Sequence, residues 1–284
     1  MNTTKPIIPK RIKVLFAVLF LWSVVWTPEV CARKSSGAKK KKSSKGVTAQ
    51  SVYAVDYTNR RVLFSRNPRQ TFFPASTTKL MTALVVLDQL DLNQQIKVSS
   101  KAVGVTPTRA GLTKGATYSV RDLLELLLAA SANDAAVTLA EGVAGSEQDF
   151  VVLMNKKAKA LGCKDSNFAN ASGLPNKKQV TTAYDLSIIV RAALSNSFVL
   201  ETMKAKYVSA TGSDDKKIKK KNHNKMLWKT KDPCVLGKTG YTIAARHCFA
   251  GIAYYDDHRV SFVILKSRKP WQDICRILGL KVDG

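Results

Sequence analysis

The sequence has few cysteines, and no two of them are close together. Its five cysteines are Cys31, Cys163, Cys234, Cys248 and Cys275. It therefore contains no CxxC pair of the kind that redox centres and zinc sites use. Cys31 falls in a segment that we interpret below as a cleaved signal. The other four allow three pairings, and the sequence does not choose among them. We expect them to be buried free thiols on apolar elements.

Acidic residues are also scarce. The 284 residues include 46 lysines and arginines but only 20 aspartates and glutamates, which gives a formal net charge of +26. Such a charge favours anionic surroundings, whether lipid, wall polymer or nucleic acid. It is equally compatible with a solvated surface that has no dedicated partner, because net charge alone identifies no ligand.

No apolar run is long enough to span a bilayer comfortably. The mainly apolar run at residues 14–26 follows four basic residues and precedes Pro28 and a small-residue site ending at Ala32. A membrane span needs about 20 apolar residues. We interpret residues 1–32 as a secretory signal peptide, which predicts an exported, periplasmic or cell-envelope protein. An uncleaved membrane anchor is the alternative.

A basic segment separates this signal from the folded part of the chain. Residues 33–46 contain seven lysines or arginines and no large apolar side chain, so they cannot bury enough surface to fold and are predicted to be disordered. The segment could tether the protein to an anionic membrane or wall surface, or act as a spacer. Residues 47–284 remain for one large domain or two closely packed domains.

Strand patterns lie at both ends of this folded part, and helix patterns lie between them. We predict a hairpin from strands 51–56 and 61–64, helices from near Ser76 and over 120–141, 146–161 and 182–194, a lysine-rich loop at 211–221, strands at 235–241, 247–254 and 259–265, and a helix at 271–280. No internal repeat is found. The simplest closure places the hairpin beside the C-terminal strands in one antiparallel sheet, an α/β (α+β) fold.

Ser76 and Lys79 stand three residues apart at a predicted helix start, so both project from one face. A serine hydroxyl is a weak nucleophile until a base takes its proton. Lysine can be that base where burial and a second cation, here Lys238, favour its neutral form. The helix start also offers free N–H groups to a developing oxyanion. The alternative for this pair alone is a helix cap followed by an exposed lysine.

Two further motifs follow along the chain. Ser131 and Asn133 interrupt an apolar helical stretch, where a hydroxyl and an amide would be costly unless they served a cleft or ended a helix. The third motif, Lys238, Thr239 and Gly240, lies on a predicted strand that could pair with an extended peptide. Lys238 and Thr239 could then hold a terminal carboxylate, and Gly240 would let the ligand approach closely. Each motif alone is weak. Three of them in this order make a specific signal.

Together the motifs resemble the Ser-x-x-Lys, Ser-x-Asn, Lys-Thr-Gly set of the low-molecular-mass penicillin-binding proteins that act as D-alanyl-D-alanine carboxypeptidases. The resemblance covers residues 50–280 and includes the runs 131–136, 168–174, 181–186, 222–227 and 237–242. It implies that residues 47–284 form a catalytic domain of the β-lactamase/DD-peptidase type. Such a domain has a five-stranded antiparallel sheet packed against helices and an all-helical subdomain.

The resemblance also implies a chemical role for each motif residue. Ser76 attacks the peptide bond between two terminal D-alanines and forms an acyl-enzyme. Lys79 is the base, and Ser131 with Lys238 protonates the departing D-alanine. The remaining implied contacts are substrate contacts. Asn133 orients the acylated chain, and the N–H groups of Ser76 and Tyr241 bind the oxyanion. Lys238, Thr239 and Arg268 bind the terminal carboxylate.

The implied partners are the stem peptide of peptidoglycan as substrate and β-lactam antibiotics as covalent inhibitors of Ser76. No metal or organic cofactor is implied, nucleic acid is not expected, and the oligomeric state is left open. The sequence departs from the family's usual pattern at Ile243 and Arg246, where an aspartate and a glycine are common. This bulkier pair is expected to change the shape of the cleft mouth.

Three alternatives stay open at this point. A β-lactamase that uses a glutamate for deacylation is disfavoured, because no glutamate lies between Asp165 and Asp185. A DD-endopeptidase that cleaves peptidoglycan cross-links is poorly separated from a carboxypeptidase by sequence. A non-catalytic cationic envelope-binding protein would explain the charge but not the intact motifs.

Overall fold

The computed structural model describes residues 46–229, 235–255 and 258–280 of the chain. The predicted signal peptide 1–32, the linker up to residue 45, Cys234 and the predicted turn at residues 256–257 lie outside these ranges. What the sequence predicts for them stays a prediction.

The described elements follow the predicted order of strands, then mainly helices, then strands. The helices are α1 Lys79–Gln89, α2 Ser100–Gly104, α3 Val120–Leu128, α4 Asn133–Ala144, α5 Glu147–Ala160, α6 Ala183–Leu194, α7 Ser197–Lys204, α8 Met226–Lys229 and α9 Pro270–Leu278, with a 3-10 helix at Ala75–Thr78. The strands are β1 Ser51–Asp56, β2 Arg61–Arg66, β3 Thr71–Phe72, β4 Gln95–Lys97, β5 Thr117–Ser119, β6 Thr181–Thr182, β7 Tyr207–Thr211, β8 Lys217–Lys221, β9 Val235–Thr242, β10 Arg246–Tyr255 and β11 His258–Ser267.

The N-terminal hairpin and the C-terminal strands share one antiparallel sheet, which confirms the predicted closure. Its five strands pair in the order β2-β1-β11-β10-β9. Tyr53 of β1 lies opposite Val263 of β11, and Lys238 of β9 lies opposite Ala250 of β10. The strand β9, which carries the third motif, therefore forms one edge of the sheet.

Both faces of the sheet are covered, because successive side chains of a strand point to opposite sides. Val263 and Leu265 of β11 belong to the large core cluster that also contains α6. Phe262 and Ile264 pack instead with α9. This explains why the central strands read as nearly continuous apolar runs rather than as an alternating pattern.

Helices α1 to α5 build the predicted helical subdomain. Leu123, Leu124 and Leu127 of α3 are fully buried in the large core cluster, together with Phe150 of α5. A short pair of strands, β4 and β5, is attached to these helices. Among the described residues no single helix is long and apolar enough to cross a membrane, and α6 with α7 meet that test only jointly, across a bend of 98°.

The single helix predicted over residues 120–141 is wrong, because the chain forms two helices with a break between them. Helix α3 ends at Leu128 and α4 begins at Asn133. Ser131, in the break, has a left-handed φ of 61°. The apolar pattern runs through the break because both sides of it are buried. The Asn133 backbone N–H instead donates to the Thr108 carbonyl oxygen at 2.7 Å, outside the helix.

The polar loop predicted at residues 211–221 is also wrong over most of its length. Strands β7 and β8 form a hairpin there, with Tyr207 opposite Lys221 and Thr211 opposite Lys217. Val208 and Ile218 are buried beneath it. The high lysine content concealed this period-two alternation of buried and exposed residues.

The three described cysteines are buried free thiols, as predicted. Cys163, Cys248 and Cys275 form no disulfide. Burial raises the pKa of Cys163 and that of Cys248 to about 12. A thiol reacts as its thiolate, so these side chains act as small apolar groups of the core.

Candidate active site

Ser76 lies in the 3-10 helix that leads into α1, and this turn is tightly enclosed. A Cβ atom built on Gly240 of β9 would lie 2.9 Å from the Ser76 backbone nitrogen. One built on Gly173 would clash with the Ala75 carbonyl oxygen. Ala75 itself has a left-handed φ of 49°, a conformation that costs about 1–3 kcal/mol for a non-glycine residue. The fold thus uses strain and close backbone contact to fix the serine against the sheet edge.

Gly240→Ala is expected to slow acylation of Ser76 by benzylpenicillin about 100-fold. Gly240 lies against the serine, so the added methyl group should displace Ser76, and a displacement of about 1 Å in a reacting group costs about that factor in rate. The added carbon would also meet Ala75 Cβ at 3.0 Å. Rapid-quench labelling measures the rate. Gly104→Ala is the matched control, because nothing lies within 4 Å of a Cβ at that glycine. An unchanged acylation rate in Gly240→Ala would contradict the proposed packing.

Lys79 is fully buried beneath the serine, one turn further along the same face, as predicted. Its Nζ lies 3.1 Å from Ser76 Oγ, 2.7 Å from Asn133 Oδ1 and 2.5 Å from the Ser172 carbonyl oxygen. A neutral amine has two N–H groups and one lone pair. Asn133 Oδ1 and the Ser172 carbonyl oxygen can only accept, so in the neutral amine they take the two N–H groups and the lone pair faces the serine hydroxyl. The contacts therefore suit a base.

The electrostatics of the pair favour a neutral Lys79. Burial, and next the charge of Lys238, lower the pKa of Lys79 well below its usual value, while Asp134 acts in the opposite direction. Lys238 is also buried, and burial lowers its pKa to about 7. Two lysines desolvated side by side cannot both hold a proton cheaply. The structure thus places Lys79 near Lys238, the second lysine that the sequence analysis proposed as its neighbour.

Ser131 and Asn133 reach the site from the break between α3 and α4. Ser131 lines the same cleft as Ser76. The Asn133 side chain bridges two elements: its Oδ1 accepts from Lys79, and its Nδ2 donates to the Thr106 carbonyl oxygen at 2.8 Å. The broken helix is therefore what aims both polar groups at the lysine and the cleft.

Because Ser131 has a left-handed φ, its replacement by glycine should have opposite effects on stability and on activity. Ser131→Gly should raise the free energy of unfolding by about 1 kcal/mol, because glycine adopts this conformation without strain. It should lower turnover about 100-fold, since a proton-transfer group is lost. Ser131→Ala, which keeps the strain, is the control and should be equally inactive without the gain in stability. Urea unfolding and D-alanine release measure the two effects. Full turnover by Ser131→Gly would contradict the role of the hydroxyl.

Asp134 is a structural part of the site to which the sequence analysis gave no role. Its carboxylate accepts the backbone N–H groups of Ala110, Gly111 and Leu112 at 2.8, 2.8 and 3.2 Å. These bonds clamp the loop that follows α2 onto the start of α4. An acidic residue in the first turn of a helix is a recognisable signal, but only the structure shows the loop that it holds.

A cleft of about 300 Å³ opens beside Ser76. It is lined by Ser76, Ser131, Thr239, Gly240 and Tyr241 of the predicted set. Arg268 is placed differently. Its side chain is exposed at the end of β11 and is not among the residues that line the cleft, and its backbone N–H donates to Thr48 Oγ1 at 3.1 Å. Its predicted role stays a prediction.

The cleft also contains residues that the sequence analysis did not single out. His223, Lys225, Pro270 and Trp271 also line the cleft. Partial burial, and next the charges of Lys238 and Lys79, lower the pKa of His223 to about 4. The imidazole is therefore neutral near pH 7. A histidine between two asparagines, in a run that already carried the family resemblance, was the available signal.

The fold and this site together define a class of enzyme. A serine at a helix start, a buried lysine base beneath it and an edge strand that carries Lys-Thr-Gly form an acyl-transfer centre of the serine–lysine type. The model of the D-alanyl-D-alanine carboxypeptidase family matches residues 38–269. The chain therefore belongs to this family of serine peptidases, which confirms the resemblance and the predicted fold.

Individual relatives agree with this assignment. The carboxypeptidase DacB2 of Mycobacterium tuberculosis is 35% identical over 219 residues, which are 76% of this chain and 74% of that protein. The D-alanyl-D-alanine endopeptidase of Escherichia coli is 30% identical over 90% of this chain and 83% of its own length. The crystal structure of a D-alanyl-D-alanine carboxypeptidase from M. tuberculosis is 30% identical, with a TM-score of 0.77 over 82% of this chain and 90% of that one.

Coverage differs among the relatives. The chain spans 58% of the length of the carboxypeptidase DacF of Bacillus subtilis, with which it is 31% identical over 228 residues. The relatives include both carboxypeptidases and an endopeptidase, so membership in the family leaves the choice between these two activities open.

Proposed function

We propose that the protein is a penicillin-sensitive serine D-Ala-D-Ala carboxypeptidase, which removes the terminal D-alanine from peptidoglycan stem pentapeptides. One observation carries this proposal: the buried Lys79 Nζ lies 3.1 Å from Ser76 Oγ, and its other two contacts are the Asn133 Oδ1 and Ser172 carbonyl oxygens. Burial and the charge of Lys238 lower the pKa of Lys79 and so favour the neutral amine, whose lone pair can take the serine proton.

The first half of the reaction forms an ester on Ser76. Its Oγ attacks the carbonyl carbon of the penultimate D-alanine as its proton moves to Lys79 Nζ. The N–H groups of Ser76 and Tyr241 receive the negative charge on the carbonyl oxygen. The C–N bond then breaks, and the proton held by Lys79 passes through the Ser131 hydroxyl, with the help of Lys238, to the departing nitrogen, which leaves Lys79 neutral again. D-Alanine leaves.

The second half returns the enzyme to its starting state. A water molecule attacks the ester carbonyl and gives its proton to Lys79, and the Ser76 oxygen recovers a proton as the tetrapeptide is released. A penicillin would follow the first half only, because opening of its ring leaves the amine attached and the site occupied. Lys238 and Thr239 would hold the carboxylate of either ligand, and Arg268 is proposed to assist.

Mass spectrometry of the penicillin adduct tests the assignment of the nucleophile. The bound mass is expected on the tryptic peptide that contains Ser76, and Ser76→Ala should remain folded and unlabelled. Ser187→Ala provides a folded control that should label fully, because Ser187 lies on α6, away from the cleft. An adduct on another residue of the Ser76→Ala protein would overturn the assignment.

A DD-endopeptidase activity is the second candidate. It is favoured by the E. coli endopeptidase, which shares 90% of this chain at 30% identity. Purified cross-linked dimers of stem peptides separate the two: an endopeptidase yields monomers, and a carboxypeptidase yields free D-alanine from the pentapeptide ends only.

We also propose that the protein is exported and that residues 33–46 contact an anionic membrane or wall surface. The proposal is supported by the basic and apolar pattern of residues 1–32 and by the seven basic residues of the linker. Deletion of residues 33–46 should weaken binding to anionic vesicles in a salt-sensitive way. Unchanged binding would contradict the tether, and a full-length protein found only in the cytoplasmic fraction would contradict export.

A further inference from the structure

The hairpin β7–β8 presents a row of lysines on one exposed face. Lys217, Lys219 and Lys221 alternate along β8 and are all exposed, whereas Ile218 between them is buried. Successive lysines are about 6.6 Å apart along the strand, from a rise of about 3.3 Å per residue. Their partners across β7 are Thr211, Ser209 and Tyr207. We call these three lysines the lysine row.

The lysine row is built on a fixed base. Val208, Ala210 and Ile218 on the inner face of the hairpin belong to the large core cluster. The hairpin therefore cannot turn its charged face away from solvent without exposing part of the core. Such a rigid cationic strand differs from a flexible basic segment, because its charges keep a constant spacing.

Aromatic rings hold two of the three ammonium groups in place. Lys221 Nζ lies 4.3 Å from the centre of the Trp228 ring, and Lys219 Nζ lies 5.3 Å from that of Tyr207. The two rings meet edge to face at 6.4 Å. A cation placed over an aromatic face is attracted to it without being neutralised. The rings thus order the lysines and leave their charge available.

Within residues 46–229, 235–255 and 258–280, no acidic side chain forms an ion pair with the lysine row. The nearest acidic residues in the chain, Asp214 and Asp215, lie in the turn of the hairpin, where Asp214 Oδ1 accepts the Lys216 backbone N–H at 3.4 Å. A run of like charges without partners is unfavourable by itself. It becomes favourable when an anion covers it.

The row leads toward the cleft. Only Asn222 separates Lys221, the last residue of β8, from His223, which lines the cleft with Ser76, and Lys225 follows on the same wall. A linear ligand that lies along the row would therefore continue into the site where the serine reacts. This continuity ties the row to the substrate rather than to an unrelated partner.

We propose that the lysine row is a docking site for the polymer that carries the scissile peptide, a wall strand bearing repeated carboxylates. The inference rests on the proposed function. A row of regularly spaced cations on an extended strand matches a linear polyanion. A membrane surface fits less well, because the outward residues of the hairpin include one aromatic ring and no aliphatic side chain that could enter the lipid interface.

Sedimentation with purified peptidoglycan sacculi tests the proposal without requiring turnover. In a Ser76→Ala background, Lys217→Gln/Lys219→Gln/Lys221→Gln should bind sacculi about tenfold more weakly, from about a twofold loss for each exposed charge contact. Lys156→Gln/Lys159→Gln/Lys164→Gln removes the same charge from exposed positions on and after α5 and should bind as the parent does. The Lys→Arg triple variant of the row should also retain binding, and added salt should abolish the difference.

Kinetics in the active protein separates docking from catalysis. The glutamine variant should show a raised KM for sacculi and an unchanged kcat/KM for a short soluble pentapeptide. Equal loss of sacculus binding in both glutamine variants would overturn the proposal, because net charge alone would then explain it. Loss of binding to phosphatidylglycerol vesicles, with sacculus binding retained, would overturn it in favour of a membrane. If the short peptide is not cleaved at all, the proposed function fails, and the binding assay still decides the role of the row.

Discussion

Replacing Lys79 by arginine is expected to slow acylation of Ser76 by benzylpenicillin about a thousandfold, the typical loss when a general base is removed. Arginine keeps the positive charge but is not deprotonated in proteins, so it cannot take the serine proton. The pre-steady-state rate of penicillin labelling measures the effect. In the unmodified protein the same rate should fall as the pH falls through the pKa of Lys79, because protonation removes the lone pair.

Lys79→Met is the companion variant. It removes the charge as well as the base and should acylate as slowly as Lys79→Arg, which would assign the loss to the missing lone pair. Circular dichroism establishes that both variants fold. Acylation by Lys79→Arg within tenfold of the original rate would show that the site needs only a cation at this position, against the role of Lys79 as base.

Lys238→Met is expected to inactivate the protein and to stabilise its fold at neutral pH. Turnover should fall at least about 100-fold, because a proton-transfer and carboxylate-binding group is lost. Stability should rise because burial lowers the pKa of Lys238 to about 7 from 10.5. Below pH 7 the folded protein holds a buried charge, and between these two values the unfolded chain binds one proton more than the folded one. The fold therefore gains stability as the pH rises through this window.

The size of this effect is at most about 5 kcal/mol, from about 1.4 kcal/mol for each pKa unit. Urea unfolding near pH 6 and near pH 9.5 measures it, and the advantage of Lys238→Met should shrink at the higher pH. Lys159→Met, which changes an exposed lysine on α5, should alter stability little at either pH. A Lys238→Met protein less stable than the original near pH 6 would contradict the buried cation.

Much of the fold could be predicted from the sequence because its signals are local. The β-rich runs of β1 and β2 and the helical patterns of α5 and α6 are such signals. Ser146 and Thr182, where these two helices were predicted to begin, each accept the N–H of an aspartate in the first turn. The spacing of Ser76 and Lys79 likewise placed the two side chains on one face.

The errors came from long-range contacts that no local pattern records. The break at Ser131 depends on bonds from Asn133 to Thr106 and Thr108, which lie in a loop more than 20 residues earlier. The strand β8 depends on burial of Ile218 against the core, which outweighs the polar character of its neighbours. In both places tertiary contacts determine the conformation of the backbone. The break between α3 and α4 is also the place from which Ser131 and Asn133 reach the site.

The structure brings Ser76, Lys79 and Asn133 into contact and places Ser131 on the same cleft, while the chemical roles of these residues stay predictions. The sequence could not show that Ser172 supplies the second acceptor for Lys79. That contact is made by a backbone carbonyl, which any residue carries. The exposed position of Arg268 likewise depends on how β11 ends against Thr48, and not on residue type.

The most direct test of the proposed activity is the release of free D-alanine from a soluble pentapeptide that ends in D-Ala-D-Ala. The release is compared between the original protein and Ser76→Ala. Stoichiometric release that disappears in Ser76→Ala is the predicted result. No release by a folded protein that still binds penicillin at Ser76 would contradict the carboxypeptidase activity and would favour cleavage of cross-links by the same serine.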